Sequence, residues 1–104
     1  MADVGDEIYT HGVWRVKPGR ELEFIAAWLD LGEAFLSLPA PPGRGTLLQS
    51  LSDSTLFYSF GPWRSIEDVE AMRRIPEVQI LIGRLRELCT EASPGTYRVA
   101  AVSE

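Results

Sequence analysis

Apolar and polar positions alternate from about residue 7 to 17. Tyr9, Val13, Trp14 and Val16 supply aromatic and β-branched side chains there, and the pattern predicts a strand. Pro18-Gly19 ends it. From 20 to 36 the period changes. Leu22, Ile25, Leu29, Gly32 and Leu36 recur at helical spacing, and Phe24, Trp28, Leu31 and Phe35 widen the stripe. Residues 37–45 carry Pro39, Pro41 and Pro42 and predict a loop. Two short strands are expected at 46–51 and 55–60, joined into a hairpin by Ser52-Asp53-Ser54. The second is expected to break at Gly61-Pro62 and to present Trp63 at the lip of a cavity. A helix then starts at Ser65. Asp68 stands three residues on, as in a capping box, and Glu67 lies near the positive end of the helix dipole. Its apolar face is Ile66, Val69 and Met72. Pro76 begins a further helix, expected to reach about residue 90 with Val78, Leu81, Ile82, Leu85, Leu88 and Cys89 on one side. Ser93-Pro94-Gly95 reads as a turn, and 96–102 as the last strand.

The order β-α-β-β-α(α)-β predicts an α+β fold: a ferredoxin-like βαββαβ antiparallel sheet with its helices on one face, formed as a single domain over 1–104. Strands one, three and four are apolar on both alternating sets, Tyr9/His11/Val13 as well as Ile8/Trp14/Val16 in the first. A sheet wetted on one side shows clean alternation instead. Helices cover one face only, so the other is expected to meet a second copy of the chain, giving a homodimer through the sheet face.

Composition narrows the function. Fifteen acidic against ten basic residues leave a net charge of -5. This disfavours nucleic acid as a partner, because it repels phosphate backbones. The single cysteine, Cys89, forms no disulfide framework or zinc spacing and reads as a small core residue. The acidic start Met1-Ala2-Asp3-Val4-Gly5-Asp6-Glu7 lacks the apolar stretch of a secretory signal, and no apolar run is long enough to span a bilayer. A cytoplasmic protein is expected. Arginine in excess of lysine, with no asparagine, fits a GC-rich bacterial source.

Nearly the whole chain resembles the antibiotic biosynthesis monooxygenase family of dimeric α/β-barrel proteins. The resemblance is carried by Trp14-Arg15-Val16-Lys17-Pro18-Gly19-Arg20-Glu21, the hairpin with Phe57-Tyr58-Ser59-Phe60, Trp63, Glu67-Asp68-Val69-Glu70-Ala71-Met72 and Ile75-Pro76. It implies a ligand pocket between sheet and helices. It also implies, for some members, oxidation of aromatic polyketides by O₂ with neither metal nor flavin, so no cofactor is expected. Trp63 matches the family's aromatic position after the third strand. Met72 stands where many members carry a histidine, which removes the usual iron ligand of the haem-degrading members.

His11, the only histidine, is the candidate catalytic base, since its normal pKa lies near neutrality. Trp63, Tyr58, Phe60, Met72 and Arg98 are the candidate substrate-binding residues: rings to stack on a planar aromatic molecule, a hydroxyl to orient it and a guanidinium to hold a developing oxyanion. Arg15 is a second arginine in an apolar strand. Each has a structural alternative, namely a satisfied strand histidine, core aromatics and edge arginines paired with acids. Trp28, Phe24 and Phe35 read as core, with one or two lining a cavity. The expected function is a cofactor-independent monooxygenase for a small hydrophobic or aromatic molecule. The alternative is a non-catalytic dimeric binding or accessory protein of the same fold.

Overall fold

A computed structural model describes residues 7–104; the acidic N-terminal stretch read above lies almost wholly outside the described residues. The elements are β1 (Ile8–Val16), α1 (Glu21–Phe35), β2 (Thr46–Gln49), β3 (Leu56–Trp63), α2 (Ile66–Arg73), α3 (Pro76–Glu87) and β4 (Cys89–Arg98). The four strands form one antiparallel sheet in the order β2-β3-β1-β4. With the helices packed on one face, this is the ferredoxin-like α+β architecture expected from the element order.

Three local expectations are corrected. The third strand does not break at Gly61-Pro62 but runs on to Trp63, with Tyr9 opposite Pro62. The carbonyl of Pro62 accepts from the Gly43 N–H at 3.0 Å. Within a strand a residue's nitrogen and carbonyl point to the same side, so the missing N–H faces the loop and interrupts no bond to β1. Gly61 lets that loop approach: a Cβ there would lie 3.1 Å from the Gly45 Cα. Ser93-Pro94-Gly95 is likewise no turn but the middle of β4, which starts seven residues earlier than expected. β4 is an edge strand. Val99 N–H bonds to the Glu7 carbonyl at 2.9 Å, so two-residue alternation turns the Pro94 nitrogen to the outer edge. Finally, α3 ends at Glu87, which moves Cys89 from a helix stripe into the start of β4. Cys89 is nonetheless buried, and burial pushes its thiol pKa up, so it stays a protonated core group at neutral pH.

The core lies between the sheet and the helices. Ile8, Trp14 and Val16 of β1 and Phe57, Ser59 and Trp63 of β3 point into it, against Phe24, Ala27 and Leu31 of α1, Val69 and Met72 of α2 and Val78 and Leu85 of α3. Phe24 is fully enclosed, its ring 5.1 Å from Phe57 and 5.7 Å from Trp14. α2 starts as expected: the Ser65 hydroxyl accepts from the Asp68 N–H at 3.2 Å.

The hairpin turn is held by Asp53. Its Oδ1 accepts from the Thr55 hydroxyl at 2.6 Å and from the Thr55 N–H at 3.0 Å. These bonds, the hydroxyl first, hold the Asp53 carboxyl below the usual aspartate range, with Arg15 adding to the effect. A pKa lowered by folding adds stability that is fully present above the unfolded value and is lost as pH falls through the folded one. The stability advantage of wild type over Asp53→Ala is therefore expected to hold at pH 6 and to shrink below about pH 4. Urea midpoints of the two proteins at both pH values check it. An advantage independent of pH would show that the carboxylate charge is not what holds the turn.

Candidate functional site

β1 and β3 each present alternate residues to the helices. Thr10, Trp14, Ser59 and Trp63 come to that side. They floor a half-open cavity of about 960 Å³ between the sheet, α1, α2 and α3. Ligand pockets run to about this size. The walls are mostly apolar: Trp28, Phe35 and Leu36 on one side, Met72 and Ile82 on the other.

The floor is fixed by two indole hydrogen bonds. The Trp14 ring folds back over Gly12, where an added Cβ would come within 2.6 Å of it. Its Nε1–H donates to the Ser59 Oγ at 2.9 Å, directly across the β1–β3 ladder from Gly12. The Trp63 Nε1–H donates to the Thr10 Oγ1 at 3.0 Å, while Phe35 meets the Trp63 ring edge-on at 5.2 Å. Both rings are buried and held by partners outside their own strand turn, so they form a rigid surface. Trp63 borders the cavity, with its N–H already engaged by Thr10.

The other candidate residues divide between the two sides of the sheet. Met72 is buried and borders the same cavity as Trp63. His11 and Phe60 border it along their strands. The His11 ring, however, sits with the tyrosines of the opposite, helix-free face: it meets Tyr58 edge-on at 5.8 Å and Tyr97 at 5.7 Å. Tyr58 and Phe60 are exposed on that face, whereas their neighbours Phe57 and Ser59 are buried on the helix side. Arg98 belongs to a second, shallower hollow of about 440 Å³ with Tyr9, His11, Phe60, Tyr97 and Val99. A single pocket uniting His11, Tyr58, Phe60, Trp63, Met72 and Arg98 is therefore not what the sheet builds, because residues of opposite parity along a strand face opposite ways. Arg15 lies outside both hollows and pairs with Asp53 at 3.3 Å and Glu91 at 3.8 Å on the surface.

The charged and amide side chains that the helices bring to the main cavity are exposed. Glu33 of α1 faces it from one helix, and Gln79 and Arg86 of α3 and Arg73 of α2 from the others. Arg73 donates to the Thr96 Oγ1 at 2.8 Å, tying α2 to β4. Among the described residues, no three His, Cys, Asp or Glu side chains are grouped closely enough to hold a metal ion, and no helix is long and apolar enough to cross a membrane. Sequence reasoning missed Trp14, Ser59 and Thr10. The signal was the parity they share with Ile8 and Trp63, which becomes readable once the register Gly12 opposite Ser59 is known.

No family model matches the chain, and no curated protein matches it. Solved structures do. A variant of SnoaB, a cofactor-independent oxygenase from Streptomyces nogalater, superposes with a TM-score of 0.84 at 20% identity, covering 93% of this chain and 96% of that one. A conserved protein from Methanosarcina mazei Go1 gives 0.79 at 19% identity, covering 91% and 94%. A protein from Nitrosomonas europaea, named "putative antibiotic biosynthesis monooxygenase", gives 0.78 at 19% identity, covering 94% of both chains. The chain therefore has the fold of proteins named as antibiotic biosynthesis monooxygenases, the family its sequence resembles.

Proposed function

We propose that this protein is a cofactor-independent monooxygenase that oxidises a small aromatic, polyketide-like substrate in the cavity between sheet and helices. The observation that carries the reading is the cavity itself, a large apolar hollow whose rigid floor is made of two indoles held by Ser59 and Thr10. Such a surface suits a flat ring system, which stacks on it and sheds its water.

The chemistry makes modest demands. An anthrone-type CH₂ beside a ring loses a proton, and the carbanion passes one electron to O₂. The radical pair joins to form a C–O bond. The resulting peroxide anion takes the proton back, and the hydroperoxide so formed loses water and leaves C=O. In total CH₂ and O₂ become C=O and H₂O, with all four electrons supplied by the substrate. The protein holds the rings, excludes bulk water and accepts the proton. His11 and Glu33 are the two groups bordering the cavity that can accept it. With the imidazole turned to the opposite face, the geometry favours Glu33.

An oxygen electrode tests the reading with anthrone as substrate. The expected result is uptake of one O₂ per quinone formed, at a rate at least ~10²-fold above spontaneous oxidation. The second reading, a non-catalytic binding protein, is favoured by one observation: none of the titratable side chains that border the cavity is buried. Binding of anthrone without faster O₂ uptake would decide for it.

We also propose that a second copy covers the helix-free face. Leu48, Tyr58, Phe60 and Tyr97 stand exposed together there around His11 and Val13. A contiguous exposed apolar patch marks an interaction surface.

A further inference from the structure

Two glycines sit inside helices, Gly32 in α1 and Gly83 in α3, and both border the main cavity. Glycine inside a helix weakens it relative to alanine, so a reason is expected. Gly12 and Gly61 have one, since a Cβ there would collide with the Trp14 ring or the Gly45 backbone. At Gly32 and Gly83 an added Cβ would meet nothing within 4 Å. No close approach of protein to protein explains either residue. The space in front of each is cavity.

The two positions belong to matching stripes. Leu29 and Leu36, three residues before and four after, flank Gly32 at helical spacing on α1 and its C-cap, and Gln79 and Arg86, four before and three after, flank Gly83 on α3; all border the cavity. Leu29 and Leu36 are exposed, so the stripes form the mouth, above the indole floor. A side chain at either glycine would project into the slot between the two helices.

We propose that Gly32 and Gly83 are the specificity-determining positions of this site: their missing side chains leave a slot that admits the third fused ring of a flat ligand. The proposal rests on the reading of the cavity as a small-molecule site. Two-ring molecules fit on the floor with the slot closed, and three-ring molecules need it open.

All three tryptophans of the chain border the cavity, so indole quenching reports its occupancy. The test titrates wild type, Gly32→Leu/Gly83→Leu and Gly32→Ala/Gly83→Ala with 2-naphthol and with anthrone, without oxygen. The leucine variant is expected to bind anthrone at least ~10-fold more weakly and 2-naphthol within about twofold of wild type. The alanine variant is expected to melt at a higher temperature than wild type, since it gains helix propensity and meets no obstacle. Unchanged anthrone affinity in a folded leucine variant would overturn the proposal, as would equal loss of both probes. A lower melting temperature in the alanine variant would overturn it too, by making the glycines structural. A wild type that binds neither probe removes the ligand reading itself, and the glycine assignment with it.

Discussion

Tyr58→Asp is expected to convert the proposed pair of chains to single chains. Tyr58 lies on the helix-free face, opposite Val13 of β1 and Leu48 of β2, with the His11 ring against it. In a symmetric pair every substitution enters the interface twice. Two carboxylates taken out of water without a partner cost several kcal/mol, which raises the dissociation constant by at least ~10³. The fold of the single chain should survive, because Tyr58 is 44% exposed and outside the core. Sedimentation equilibrium measures this directly. Wild type is expected at twice the chain mass of 11.6 kDa and the variant at once that mass, with unchanged far-UV circular dichroism. A wild type that sediments as a single chain removes the dimer.

If the proposed oxidation uses Glu33 as its base, Glu33→Gln is expected to slow it by about 10²–10⁴-fold, the usual contribution of a general base. The amide keeps the size of the side chain and cannot accept the proton. Anthrone binding, read by tryptophan quenching, is expected to stay within about twofold of wild type, so the loss falls on kcat. His11→Ala, assayed at a concentration that keeps the chains paired, is expected to retain most of its kcat, since its ring lies with Tyr58 and Tyr97 and not over the indole floor. The reverse result, a dead His11 variant beside an active Glu33 variant, would return the proton to the imidazole.

The layered fold was legible because its signals are local. Helical spacing in α1, the cap at Ser65 and the Ser-Asp-Ser turn each act over a few residues, and the structure uses each as such. Two proline-glycine pairs misled the reading for a definite reason. Whether proline breaks a strand depends on which way its nitrogen faces, and that is set by the neighbouring strand, not by the dipeptide. Gly61-Pro62 and Pro94-Gly95 both point the ring nitrogen away from β1, so both remain in their strands. The site was less legible because parity, not residue type, decides who meets whom. Trp63 and Met72 share the cavity; Tyr58 and His11, equally plausible by chemistry, fall on the other side. Trp14 looked like one more strand aromatic until register placed Ser59 beside its N–H.

Pro94 at the rim of β4 has a consequence for how many chains can join. A strand at a sheet border is a template on which another chain can build by backbone pairing, and such growth has no natural end. Here that border lacks a donor at its midpoint, so a stacked, fibre-like array of these sheets is discouraged. In the proposed pair, association uses the aromatic surface instead, where one partner exhausts the available area and the assembly stops at two.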